Sequence, residues 1–208
     1  MNAEPPTDAL YSETSDAGGG ADEPLVLLHG WGMNLRVFDG LRAELAAQHR
    51  VTAIDLPGHG RSAWTAHASP QQQLAQLSAV LPHGATLVGW SLGGQFALQL
   101  AGDPALAVRR VVLIASSPRF VRADDWPHGL PAATLERFAA QLGRDAGQTI
   151  ADFLELQVRG IQAAERTAGP RRGAPRRAGG GTGTARTAGF ARAGAAHRCA
   201  GAADRGTI

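Results

Sequence analysis

Ser91 sits in Gly89-Trp90-Ser91-Leu92-Gly93-Gly94, a G-x-S-x-G pattern. Serine between two glycines at this spacing suits nucleophilic attack on an ester carbonyl. Small flanking residues let the backbone reverse sharply and leave the hydroxyl standing clear. In a chain with 27 glycines the pattern arises cheaply, so its surroundings must carry the argument. The apolar run Ala85 to Trp90 enters it and the helical pattern Leu92 to Ala101 leaves it. A strand–turn–helix of this kind lifts the hydroxyl to the carboxyl edge of a sheet, at a helix N-terminus where developing negative charge is favoured. The alternative is a Gly-rich turn carrying an idle serine.

A serine nucleophile also needs donors for the tetrahedral oxyanion, usually backbone N–H groups. The residue after the serine, Leu92, supplies one. Trp31, in His29-Gly30-Trp31-Gly32, is placed to supply the other, because that loop follows the first apolar strand and its glycines let an amide turn inward. His29 reads as an orienting residue rather than a base; the alternative is a plain turn. A third loop, Asp55-Leu56-Pro57-Gly58-His59-Gly60-Arg61-Ser62, follows the second strand. Taken alone it is a turn, and a catalytic role for Asp55 or His59 is not favoured.

Regular elements have to hold those loops. Strands are expected at Pro24 to His29, Arg50 to Leu56, Ala85 to Trp90 and Arg110 to Ala115. Helices are expected over Leu35 to Gln48, Pro70 to Leu81 (with Ser69 as cap) and Leu92 to Ala101. This alternation implies an α/β fold, a mostly parallel sheet covered on both faces. The pattern then turns helical over Leu130 to Leu142 and Thr149 to Val158, as an insertion lying over the sheet would. The expected organisation is a disordered lead-in over 1–23, with Leu10-Tyr11 a weak candidate for an edge-strand stub. A core over 24–118, a helical cap over 119–160 and a disordered tail over 161–208 follow.

The three loops in this order resemble the α/β-hydrolase superfamily. HGWG, GWSLGG, Ser116-Ser117-Pro118-Arg119-Phe120, Asp125-Trp126-Pro127 and Asp152-Phe153-Leu154-Glu155-Leu156-Gln157 look like the pimeloyl-[acyl-carrier protein] methyl ester esterases of biotin synthesis. The resemblance covers roughly residues 24–160. It implies an α/β-hydrolase fold with a helical cap, no cofactor or metal, and hydrolysis of a methyl ester on pimeloyl carried by acyl carrier protein. It implies Ser91 as nucleophile and substrate contacts at Trp31, Ser91, Leu92, Phe153, Leu154, Glu155, Leu156 and Gln157. A general carboxylesterase sharing HGWG and the elbow, or an inactive fragment, stays open.

In that family an aspartate and then a histidine follow the serine, after the cap, at the ends of two later strands. Here the later histidines are His128, in the insert, and His197, with Asp204 after it rather than before. The family pattern stops at Gly160, as it would if the reading frame had shifted in GC-rich coding sequence; a natural low-complexity tail is the alternative. Charge marks the same boundary. Residues 1–160 hold eleven arginines against sixteen acids, and 161–208 hold nine against two; lysine is absent. The tail has no Leu, Val, Met, Trp or Tyr, too little apolar surface to offset the entropy of ordering.

A nucleic-acid role through Arg171-Arg172 and Arg176-Arg177 is disfavoured, because Phe190 is the tail's lone aromatic and base stacking would need more. Cys199 is the single cysteine, which excludes an internal disulfide. No apolar run approaches the ~18 residues of a membrane span, and the N-terminus lacks a signal-peptide pattern. A cytoplasmic monomer is expected, partnered by acyl carrier protein, with no nucleic acid and no membrane.

Overall fold

The computed structural model describes residues 10–16, 23–63 and 68–167. Its organising strand is β2 (Leu25–Leu28), four apolar residues all buried, as a strand covered on both faces requires. β2 runs parallel to β3 (Val51–Ile54) on one side and to β4 (Thr86–Trp90) on the other. β5 (Arg110–Ile114) continues the parallel order beyond β4.

Strand alternation divides the apolar side chains into two cores. Val26, Leu28, Ile54 and Leu87 pack with Leu77 of α2 (Pro70–Val80) and with Phe96, Ala97 and Leu100 of α3 (Leu92–Ala101). Leu25, Leu27, Val51 and Ala53 pack with Leu35 and Phe38 on the opposite face. Those two lie in a 3-10 turn, Leu35–Phe38, that leads into α1 (Asp39–Leu45). Helices therefore cover both faces, as the alternating pattern implies. At α2 the Ser69 hydroxyl accepts from the Gln72 N–H (3.2 Å), and the Gln72 side chain accepts from the Ser69 N–H (2.7 Å). Such a box is worth about 1 kcal/mol.

Two expected boundaries move. The lead-in is not wholly without structure: β1 (Ser12–Ser15) adds an antiparallel edge strand to β3, giving the order β1-β3-β2-β4-β5. Its sequence, SETS, is polar throughout, and what holds it comes from far along the chain. Glu13 takes Arg36 and, at 2.8 Å, Arg42 as partners, and Tyr11 N–H donates to the Ser62 hydroxyl at 2.8 Å. Residues 1–9 and 17–22 lie outside the described residues.

The cap consists of α4 (Ala132–Arg144) and α5 (Ala146–Thr167), and α5 runs past the expected boundary at 160/161. The crossing stretch is rich in Ala, Gln and Glu, which favour a helix whatever the tail beyond them does. The expected tail disorder falls on 168–208, outside the described residues. Among the described residues no helix is long and apolar enough to cross a membrane.

Candidate active site

Ser91 follows β4 and caps the N-terminus of α3 with φ 53° and ψ −114°, a backbone conformation rare outside glycine. Holding it costs of order 1–3 kcal/mol, so the surroundings must impose it. The Ser91 N–H donates to the Ile114 carbonyl at the end of β5 (2.9 Å), and the Ser91 carbonyl accepts from the Gly94 N–H (3.0 Å). The glycines are steric necessities: a Cβ at Gly93 would strike the Leu28 carbonyl, and one at Gly89 would strike Gly94.

The HGWG loop meets the elbow directly. A Cβ at Gly30 would stand 3.4 Å from the Ser91 Cβ. Among the described residues, neither the Trp31 N–H nor the Leu92 N–H donates to a protein acceptor. For Leu92 the cause is position, since the first residues of a helix have no intrahelical acceptor. Two backbone N–H groups without a protein acceptor thus lie next in sequence to Gly30 and Ser91, the residues at which the loop and the elbow meet.

His29, wholly buried, ties this loop to the β3 turn. Its Nε2 accepts from the Leu56 N–H (3.0 Å), which leaves the ring proton on Nδ1 to donate to the Gly30 carbonyl (2.8 Å). Burial, then the neighbouring His59, pushes its pKa down to about 3, and the ring is neutral. The Asp55 carboxylate, 3.9 Å from Nε2, is consequently not an ion-pair partner. It accepts from the backbone of Leu35 (2.6 Å) and Arg61 (2.8 Å) and so pins the third loop. His59 meets His29 edge-on at 5.3 Å with Nδ1 3.0 Å from the Pro57 carbonyl, and burial lowers its pKa too. His29, Asp55 and His59 form a structural knot beneath the loops.

The cap reaches the site through aromatic rings. Trp31 packs edge-on against Phe138 of α4 (5.2 Å) and Phe153 of α5 (5.5 Å), and those two meet at 5.9 Å. Of the cap residues expected to touch substrate, Phe153 stands on Trp31 and Leu154 is half-buried. Glu155 and Gln157 are exposed, Glu155 pairs with Arg159 at 2.7 Å, and Leu156 is 67% exposed. Phe138 joins the site without a signal in the sequence, and Ser116, quoted only as part of a family-like stretch, is brought to Ser91 by folding.

No imidazole among the described residues hydrogen-bonds the Ser91 hydroxyl. His128 is exposed and stacks edge-on against Trp126 (5.5 Å); His197 and Asp204 lie outside the described residues. The arrangement offers a strained serine beside two backbone donors, capped by an aromatic cluster.

A family model described as the alpha/beta hydrolase fold matches residues 23–187. A pimeloyl-[acyl-carrier protein] methyl ester esterase of Nitrosomonas europaea is 43% identical over 154 residues, covering 74% of this chain and 60% of that protein. One from Sodalis glossinidius is 40% identical over 156 residues, with 75% and 59% covered. The chain thus spans about three fifths of the length of these relatives. Among solved structures, an esterase from Exiguobacterium antarcticum superposes with TM-score 0.64 at 24% identity, covering 70% of this chain and 56% of that one. A bromoperoxidase from Bacillus anthracis gives 0.59 at 27% identity, with 66% and 51% covered. The parallel sheet, the strained serine elbow after β4 and the family match over most of the sequence agree, and the chain belongs to the alpha/beta hydrolase fold family.

Proposed function

We propose that this chain carries the nucleophile half of a carboxylic ester hydrolase acting on the methyl ester of pimeloyl-[acyl-carrier protein]. Ser91 is the nucleophile, and the Trp31 and Leu92 N–H groups receive the oxyanion. The observation behind this reading is the strained Ser91 with two uncommitted donors beside it. The substrate class draws support from the names of the relatives at 40–43% identity and from the Trp31–Phe138–Phe153 cluster, an apolar lining suited to an acyl chain. Attack by Ser91 on the ester carbon would form a tetrahedral oxyanion. Its collapse would release methanol and leave an acyl-serine for water to hydrolyse.

That no described imidazole reaches Ser91 favours a second reading, in which the chain holds the nucleophile and turns over slowly. Triad members act as a unit, and loss of the base costs orders of magnitude. Hydrolysis of a short p-nitrophenyl ester, run beside Ser91→Ala, tests the proposal. Weak hydrolysis abolished by Ser91→Ala is expected, and hydrolysis indifferent to that substitution would contradict it.

A further inference from the structure

We propose that His29 and Ser116 are positioning residues of the oxyanion site, each gripping the carbonyl of the peptide unit whose N–H is one of its two donors. This rests on the reading that Trp31 and Leu92 supply those donors. A peptide unit is a rigid plane in which the C=O and the next residue's N–H point opposite ways. Fixing one end therefore aims the other.

On one wall the His29 Nδ1–H donates to the Gly30 carbonyl at 2.8 Å, and the N–H on the far side of that plane belongs to Trp31. The Leu56 N–H on Nε2 settles which ring nitrogen holds the proton, and complete burial keeps water from replacing the bond. The Met33 N–H reaches the same carbonyl at 3.3 Å, a longer contact. On the other wall the Ser116 hydroxyl donates to the Ser91 carbonyl at 2.7 Å, and the N–H across that plane belongs to Leu92. Ala115, at φ 45°, bends the chain after β5 so that Ser116 comes under the elbow. Gly94 leaves room for it, since a Cβ there would strike the Ser116 hydroxyl.

Two consequences follow for the donors. The planes cannot rotate, so the N–H groups stay aimed beside Ser91 before any substrate arrives, which is what preorganised stabilisation requires. Donation to each carbonyl also polarises the amide and strengthens its N–H, by roughly 10–30% per bond. A side chain that merely pinned the loop would leave the polarity of the donor amide unchanged.

The test reads that polarity directly. Backbone amide proton shifts of Trp31 and Leu92 are measured in the 15N-labelled chain, with the rate of fluorophosphonate labelling of Ser91 measured alongside. Ser116→Ala should move the Leu92 amide proton upfield and leave Trp31 in place; His29→Ala should do the reverse. Ser116→Thr, which keeps the hydroxyl, and His29→Asn, whose amide N–H replaces Nδ1–H, should restore the wild-type positions. Each alanine variant should slow the maximal labelling rate about tenfold, short of the 10²–10³ lost when a donor is deleted outright. The probe concentration giving half-maximal rate should not change.

Unmoved amides in Ser116→Ala and His29→Ala would overturn the proposal. If His29→Ala fails to fold, an unmoved Leu92 amide in Ser116→Ala overturns it alone. A wild-type chain that takes no label removes the hydrolase reading, and the amide shifts then decide for or against the grip by themselves.

Discussion

At Ser91 the fold holds a backbone conformation that the residue would not adopt alone, and the neighbouring side chains show how. The proposal for Ser91, Leu92 and Trp31 could be drawn from the sequence because it rests on local spacing. The contact of Ser116 with Ser91 could not, because it spans 25 residues and depends on the bend at Ala115. His29 has a consequence for stability. Its folded pKa of about 3 lies below the ordinary 6.5, chiefly through burial. Between those values the unfolded chain binds a proton that the folded chain refuses. Stability is therefore complete above about pH 6.5 and falls as pH drops toward 3, by at most about 1.4 kcal/mol for each step of one in pH. His59, lowered by burial as well, acts in the same direction. The denaturant midpoint should fall between pH 7.5 and pH 5, and His29→Asn should flatten that fall. An unchanged slope in His29→Asn would contradict the assignment.

At the scale of elements, α2 and α3 follow their sequence patterns closely because caps and apolar periodicity are local. β1 was concealed because Glu13 finds Arg36 and Arg42 only after folding, and α5 continues past residue 160 because the Ala, Gln and Glu residues there favour a helix. In the cap, Arg119 pairs with Asp125 and Arg159 with Glu155. Arg137 and Arg144 on α4 are exposed, bond only to Thr134 and to backbone carbonyls one turn back, and have no acidic partner among the described residues. If the substrate arrives on an acidic carrier protein, these two are available steering charges, as is the exposed Arg122, whose side chain bonds only to the Gly129 carbonyl. Arg137→Glu with Arg144→Glu should weaken binding of acyl carrier protein several-fold at low salt and remove most of its salt dependence. Hydrolysis of a free short ester should be unchanged. Binding that ignores both substitutions would move the docking face elsewhere.

For the whole molecule the weak point is β5. It lies at the end of the sheet, and among the described residues no strand pairs with its outer edge. Val112, Leu113 and Ile114 are 45%, 41% and 39% exposed, in contrast to the fully buried β2. An apolar, unpaired edge of this kind is a template for association. The alternation of strands and helices made this strand legible, whereas its exposure depends on what packs beside it and has no local signature. The chain should self-associate with rising concentration in sedimentation velocity. Leu113→Lys should shift it toward monomer without loss of helical signal, and association unaffected by Leu113→Lys would place the contact elsewhere.

The proposed function makes Ser91 a nucleophile held in a strained backbone conformation, with no described base to activate it. The decisive measurement is fluorophosphonate labelling of the purified chain, with the adduct mapped by peptide mass spectrometry. A single adduct on Ser91 is expected, formed at least about 10²-fold more slowly than on the full-length Nitrosomonas europaea relative under the same conditions. An adduct on another residue, or labelling of Ser91 at the relative's own rate, would contradict it.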